Sequence, residues 1–142
     1  MERLFGTDGV RGRYGEGWLS AARVSALGRA LGRVLPRPVG APLRALLGHD
    51  GRRSGPVLEA ALRDGLVAEG YTVTSAGLIT TPGLAVLGRL AGFDVTAMVS
   101  ASHNPAEDNG IKVFGARGEK LTDETEERVE AAWRAHPEPL PP

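Results

Sequence analysis

Val95-Thr96-Ala97-Met98-Val99 runs directly into Ser100-Ala101-Ser102-His103-Asn104-Pro105, and Asp108-Asn109-Gly110-Ile111-Lys112 follows close behind. A short apolar run therefore ends in a knot of hydroxyl, imidazole, amide and ammonium groups. A buried strand of this kind delivers its polar ending to a sheet edge. In open α/β sheets, ligands bind outside the carboxyl ends of the strands. A serine held there, with a base and a cation beside it, is a candidate for covalent phosphate chemistry.

Outward from this strand, the pattern alternates. Ser20 to Leu35 reads as an amphipathic helix, with Val24, Leu27, Leu31, Val34 and Leu35 at helical spacing and Arg23, Arg29 and Arg33 placed to reach water. Gly28 and Gly32 each weaken that helix by about 1 kcal/mol relative to alanine, which reads either as close backbone packing or as glycines tolerated in a glycine-rich chain. Leu43 to Leu47 reads as a strand, Pro56 to Gly70 as a helix with Leu58, Leu62 and Leu66 on one stripe, and Tyr71 to Ser75 as a second strand. Thr81-Pro82 reads as a helix cap followed by proline at the first helical position, opening a helix to Ala91. After the Val95–Val99 strand, Asn109-Gly110 reads as a turn, and Ile111 to Phe114 as a further short strand. Thr122 caps an acidic first turn, suited to the positive end of a helix dipole, and that helix runs to Arg134. The expected fold is α/β: a mixed, mostly parallel sheet sandwiched between helices. Residues 1–135 form the domain, and the proline-rich stretch 136–142 reads as an extended linker.

Composition narrows the function. The chain has 142 residues, 42% of them hydrophobic, enough for one domain with a real core. Its 17 basic residues balance 17 acidic ones, so it carries no electrostatic footprint for nucleic acid or an anionic membrane. No cysteine is present, which excludes disulfides and thiolate metal sites and fits a reducing, cytoplasmic setting. The N-terminus lacks the apolar core of a signal peptide. No apolar run approaches the roughly 18 residues of a spanning helix.

The loops after the parallel strands gather on one sheet edge. Ser102 is the leading candidate there, because a phosphorylated serine is a stable donor needing only positioning and charge neutralisation. The Asn104-Pro105 step restricts the backbone beside it, although these same residues also favour plain turns. His103 can hydrogen-bond a phosphate or move a proton. Lys112 can neutralise developing charge. Arg11, between Gly9-Val10 and Gly12, offers a planar fork for phosphate oxygens. Asp50, Arg52 and Arg53 read either as a second anion cluster or as a solvated loop. There is no Walker-type loop and no aspartate cluster with metal-ligand spacing. A serine hydrolase is disfavoured, since adjacent residues rarely reach nucleophile–base geometry and no orienting carboxylate is evident.

Three ordered stretches, Phe5-Gly6-Thr7-Asp8-Gly9-Val10-Arg11-Gly12, Ser100 to Pro105 and Asp108 to Lys112, together resemble the α-D-phosphohexomutase superfamily. The loop Gly48-His49-Asp50-Gly51-Arg52-Arg53-Ser54-Gly55 is similar to that family's Gly-Lys-Asp-Thr-Arg-x-Ser-Gly loop, with His49 and Gly51 as departures. The resemblance implies the first domain of a four-domain isomerase, in the branch acting on hexosamine phosphates; the alternatives are a branch acting on mannose or glucose phosphates, or a stand-alone, non-catalytic module for phosphate binding or dimerisation. Ser102 would carry a phosphate and pass it between the sugar's 6- and 1-positions through a bisphosphate. His103, Lys112 and Arg11 would act at the reacting groups, with Thr7, Asn104, Asp50 and Arg52 as phosphate-binding or site-supporting residues. Mg2+ would meet Ser102 through its phosphate, the remaining ligands lying outside this chain. Implied partners are hexosamine phosphate and its bisphosphate, the missing domains of the same enzyme, and a second copy in a homodimer. The isolated chain would then be inactive.

Overall fold

The computed structural model describes residues 3–138. Ten elements alternate along the chain: strand β1 (Val10–Arg13), a 3-10 turn (Gly17–Leu19), helix α1 (Ala21–Val34), β2 (Leu43–His49), α2 (Gly55–Ala68), β3 (Tyr71–Leu78), α3 (Thr81–Leu90), β4 (Val95–Val99), β5 (Asp108–Phe114) and α4 (Asp123–Ala135). The strands form one sheet in the order β1-β5-β4-β2-β3. β2 pairs in parallel with both β3 and β4, while β5 runs antiparallel to β4 and to β1. The mixed, mostly parallel α/β fold is as the alternation predicts.

Side-chain alternation in the strands separates two cores. Ala45 and Leu47 of β2 and Val95, Ala97 and Val99 of β4 face the larger one, shared with α1, α2 and α4. Leu46 and Met98, the residues between them, face a smaller core with Leu84 of α3 and Phe93. The chain steps one way along the sheet through α2 and back across β2 through α3. Right-handed crossovers in opposite directions put their helices on opposite faces. The sheet is thus covered on both sides.

Close packing does fall at the glycines of α1. A β-carbon on Gly28 would sit 2.5 Å from the Leu62 carbonyl oxygen, and one on Gly65 of α2 only 2.0 Å from that of Ser25. Helices α1 and α2 cross backbone to backbone there.

Arg23 departs from expectation. It is 1% exposed, not turned to water, because α1 is flanked by both α2 and α4 and has no solvent face at that position. Its guanidinium lies 4.6 Å over the Trp18 ring. It donates to the carbonyls of Trp133 at 2.5 Å, His136 at 3.2 Å and Glu138 at 2.5 Å. Trp133 packs edge-on against Trp18 at 4.9 Å and returns a hydrogen bond from Nε1 to the Arg23 carbonyl at 2.6 Å. Arg23 so satisfies the carbonyls that the end of α4 leaves open. The stretch expected to be a linker therefore begins tied down, and its residues 139–142 lie outside the described residues.

Three smaller differences have local causes. The cap of α3 is Thr80, whose hydroxyl accepts from the Gly83 amide at 3.2 Å, so Thr81 and Pro82 both lie inside the first turn. β3 continues to Leu78 past a register shift opposite β2. Asn109-Gly110 is no turn: β5 already begins at Asp108, because pairing with β1 claims both residues. The reversal falls earlier, where the Asn104 amide donates to the Ala101 carbonyl at 3.1 Å and that of Asp108 to Pro105 at 3.0 Å.

Candidate functional site: the Ser102 loop

The loop Ser100–Pro105 leaves the carboxyl end of β4, and Asp50–Ser54 leaves the adjacent end of β2, so the two expected loops share one edge. β1 brings the N-terminal segment to the same place. It pairs with β5 so that Arg11 lies opposite Gly110. A β-carbon on Gly110 would meet the Val10 carbonyl oxygen at 2.5 Å and that of Ser100 at 2.7 Å. The absent side chain is what lets the arginine-bearing strand and the serine loop close on each other. Gly9, at φ +83°, turns the N-terminal loop where a side chain would strike the Ile111 carbonyl oxygen at 2.2 Å.

Ser102 is exposed and, among the described residues, is the only one other than glycine at positive φ, +53°. The left-handed region costs an L-residue roughly 1–2 kcal/mol, so the surroundings must hold it there. In this conformation Oγ accepts a hydrogen bond from Lys112 Nζ at 2.9 Å. Asn104 stands between Arg11 and Asp108: Arg11 Nη1 donates to its Oδ1 at 3.2 Å, and its Nδ2 donates to Asp108 Oδ2 at 3.1 Å. Asp8 lies 3.8 Å from Arg11 Nη2. His103 is exposed next to Ser102. The hydroxyl's partner is thus an ammonium on a neighbouring strand and not the adjacent imidazole, an arrangement suited to charge neutralisation and unlike a hydrolase triad.

Thr7 makes its contact through the backbone. Its carbonyl accepts from Lys120 Nζ, and together with Asp8, Gly9, Lys112 and Lys120 it lines a cavity of about 210 Å³ that Ser102 does not reach.

Asp50 and Arg52 sit beneath the loop. Arg52 donates from Nη1 to the carbonyls of Pro105 at 2.5 Å and Asp108 at 3.2 Å, from Nη2 to those of Ser102 at 2.8 Å and Asn104 at 3.0 Å, and from Nε to Asp50 Oδ2 at 3.3 Å. A guanidinium has five N–H groups, and every one of these is committed within the protein. Asp50 Oδ2 also accepts from Ser100 Oγ at 2.8 Å, which in turn accepts the Ser102 amide at 3.1 Å. Nearby, buried Asn109 donates to Ser54 Oγ at 2.8 Å, tying β5 to the start of α2.

The sequence matches the model of phosphoglucomutase/phosphomannomutase, alpha/beta/alpha domain I, over residues 2–139. The chain belongs to this family. Among its curated relatives, phosphoglucosamine mutase from Xylella fastidiosa (strain M12) is 50% identical over 135 residues, covering 95% of this chain and 30% of the relative. The one from Deinococcus deserti is 52% identical over 130 residues, covering 92% and 29%. A solved structure from Thermus thermophilus, described as that of a candidate phosphomannomutase, superposes with a TM-score of 0.80 at 31% identity, covering 93% of this chain and 30% of that one. The chain therefore spans about 30% of the length of the curated relatives it matches.

The described residues do not by themselves fit a magnesium site. Among them no group of three or more His, Asp or Glu side chains is placed to hold a metal ion, and the partner of Ser102 Oγ is a cation. Nor is any of their helices long and apolar enough to cross a membrane.

Proposed function

We propose that this chain is the phosphoserine-bearing first domain of a phosphoglucosamine mutase, which interconverts glucosamine 6-phosphate and glucosamine 1-phosphate. The observation that carries the proposal is the left-handed Ser102, its hydroxyl 2.9 Å from the Lys112 ammonium at the carboxyl edge of the sheet. The names of the relatives at about half identity support the choice of sugar.

Ser102 carries the phosphate between turnovers. A hydroxyl of the sugar monophosphate attacks the phosphorus, the P–Oγ bond breaks, and a sugar bisphosphate forms. Negative charge develops on Oγ as it leaves, and the Lys112 ammonium neutralises it and can supply its proton. The imidazole of His103 is the candidate to take the proton lost by the attacking hydroxyl. The bisphosphate reorients, and Oγ attacks its other phosphorus to restore the phosphoserine and release the isomer. Arg11, held against Asn104, faces the transferring phosphoryl oxygens. Magnesium, when bound, would offset charge on those oxygens, drawing its carboxylates from residues outside 1–142.

The test is made on the natural protein that carries residues 1–142. Incubation with glucosamine bisphosphate should add one phosphate, mapped by mass spectrometry to Ser102, and Ser102→Ala should abolish both labelling and isomerisation. Wild-type turnover by that variant would refute the covalent scheme. The Thermus thermophilus similarity favours a second reading, a phosphomannomutase. Comparing turnover of glucosamine, mannose and glucose phosphates separates the two. The 142-residue polypeptide alone should turn over none of them.

A further inference from the structure

We infer that Arg52, Asp50 and Ser100 form a positioning relay that sets the backbone of Ser102, and that Arg52 does not bind substrate phosphate. Two observations carry this. The first is the full commitment of the Arg52 guanidinium, whose five N–H groups end on Asp50 and on four backbone carbonyls of residues 102–108. An arginine poised for an oxyanion keeps donors free, and this one, 12% exposed in its side chain, has none left. The second is the position of Ser102 as the only described non-glycine residue at positive φ.

The relay acts on both sides of that residue. On its carbonyl side, Arg52 Nη2 draws in the Ser102 oxygen at 2.8 Å. On its amide side, Ser100 Oγ accepts the Ser102 N–H at 3.1 Å. Asp50 joins the two ends, since one carboxylate oxygen accepts from both Ser100 Oγ, at 2.8 Å, and Arg52 Nε, at 3.3 Å. Asp50 itself is anchored, its amide donating to the Val99 carbonyl at the end of β4. The peptide units before and after Ser102 are thereby fixed from below. What remains is a hydroxyl aimed at Lys112. Asp50 and Arg52 are positioning residues, acting on the reaction only through Ser102.

The catalytic consequence rests on the phosphoryl-transfer reading, whereas the relay itself can be read without it. Amide hydrogen exchange on the 142-residue chain should show Ser102 protected, and Ser100→Ala and Arg52→Ala should each remove that protection while the amides of β2 and β4 stay protected. Unchanged protection at Ser102 in both variants would overturn the relay. In the natural protein, Arg52→Lys should lower kcat roughly 100-fold, as for a misplaced reacting group, with KM within threefold of wild type. Added guanidinium should restore kcat in Arg52→Ala without shifting Tm, which a merely structural residue would not show. A raised KM with kcat unchanged would instead make Arg52 a phosphate ligand. If the wild-type protein transfers no phosphate, the functional reading falls and hydrogen exchange still decides the relay.

Discussion

At the scale of the residue, the division of labour around Ser102 follows from where charge can and cannot go. Lys112 lends its ammonium to the hydroxyl, Arg11 reaches Asn104 from the edge strand, and Arg52 is spent on carbonyls. Lys112→Ala should therefore lower kcat of the natural protein by about 10²–10³, the usual cost of removing one charge-stabilising donor. KM should change little, and steady-state kinetics separates the two. Ser102, Lys112 and Arg11 are legible as a group in the sequence because each stands in a stretch rich in polar and glycine residues. The role of Arg52 is not, since nothing in a loop sequence says whether a guanidinium will face a ligand or its own backbone. Arg23 defeats the pattern for a different reason. It lies four residues before Leu27 and eight before Leu31, on the buried side of α1, yet its residue type assigns it to water. The signal lies in its spacing and in the Trp18 and Trp133 residues able to receive it.

The elements themselves are mostly written in apolar periodicity and caps, and all four main helices fall within a residue or two of expectation. What periodicity misses is decided between elements. β5 begins at Asp108 because β1 pairs with it across Asn109 and Gly110, and a turn preference gives way to that ladder. β1 itself is too short and too rich in arginine and glycine to announce a strand alone. Packing of α1 on α2 is the most constrained joint in the fold. Gly65→Ala would place a methyl group 2.0 Å from one backbone oxygen and 2.8 Å from the Arg29 amide nitrogen, neither of which can rotate away. We expect a loss of about 2–3 kcal/mol from this overpacking, read as a lower urea midpoint with an unchanged slope.

For the molecule as a whole, the pH dependence of stability should carry the mark of Glu126. This carboxyl is 4% exposed. Burial raises its pKa above the ordinary value, with Asp123 adding to the rise, while Lys120 and Arg3 oppose it. The folded protein then holds this proton more tightly than the unfolded chain, so its contribution is most favourable below the unfolded pKa of about 4.3. It declines as pH climbs from there through the raised folded value, and levels off beyond. Glu126→Gln should flatten that portion of the curve of urea midpoint against pH. A slope equal to that of wild type would show that other groups set it.

The backbone of Ser102 has one more consequence, for what substitutions the position will admit. Threonine would keep an alcohol there, but its branched β-carbon resists a φ of +53°. Asparagine would settle into that conformation with ease and bring no alcohol at all. Each neighbouring choice satisfies one demand by failing the other. A drifting sequence therefore has no intermediate step through which this serine could be exchanged for another alcohol while the loop kept its shape.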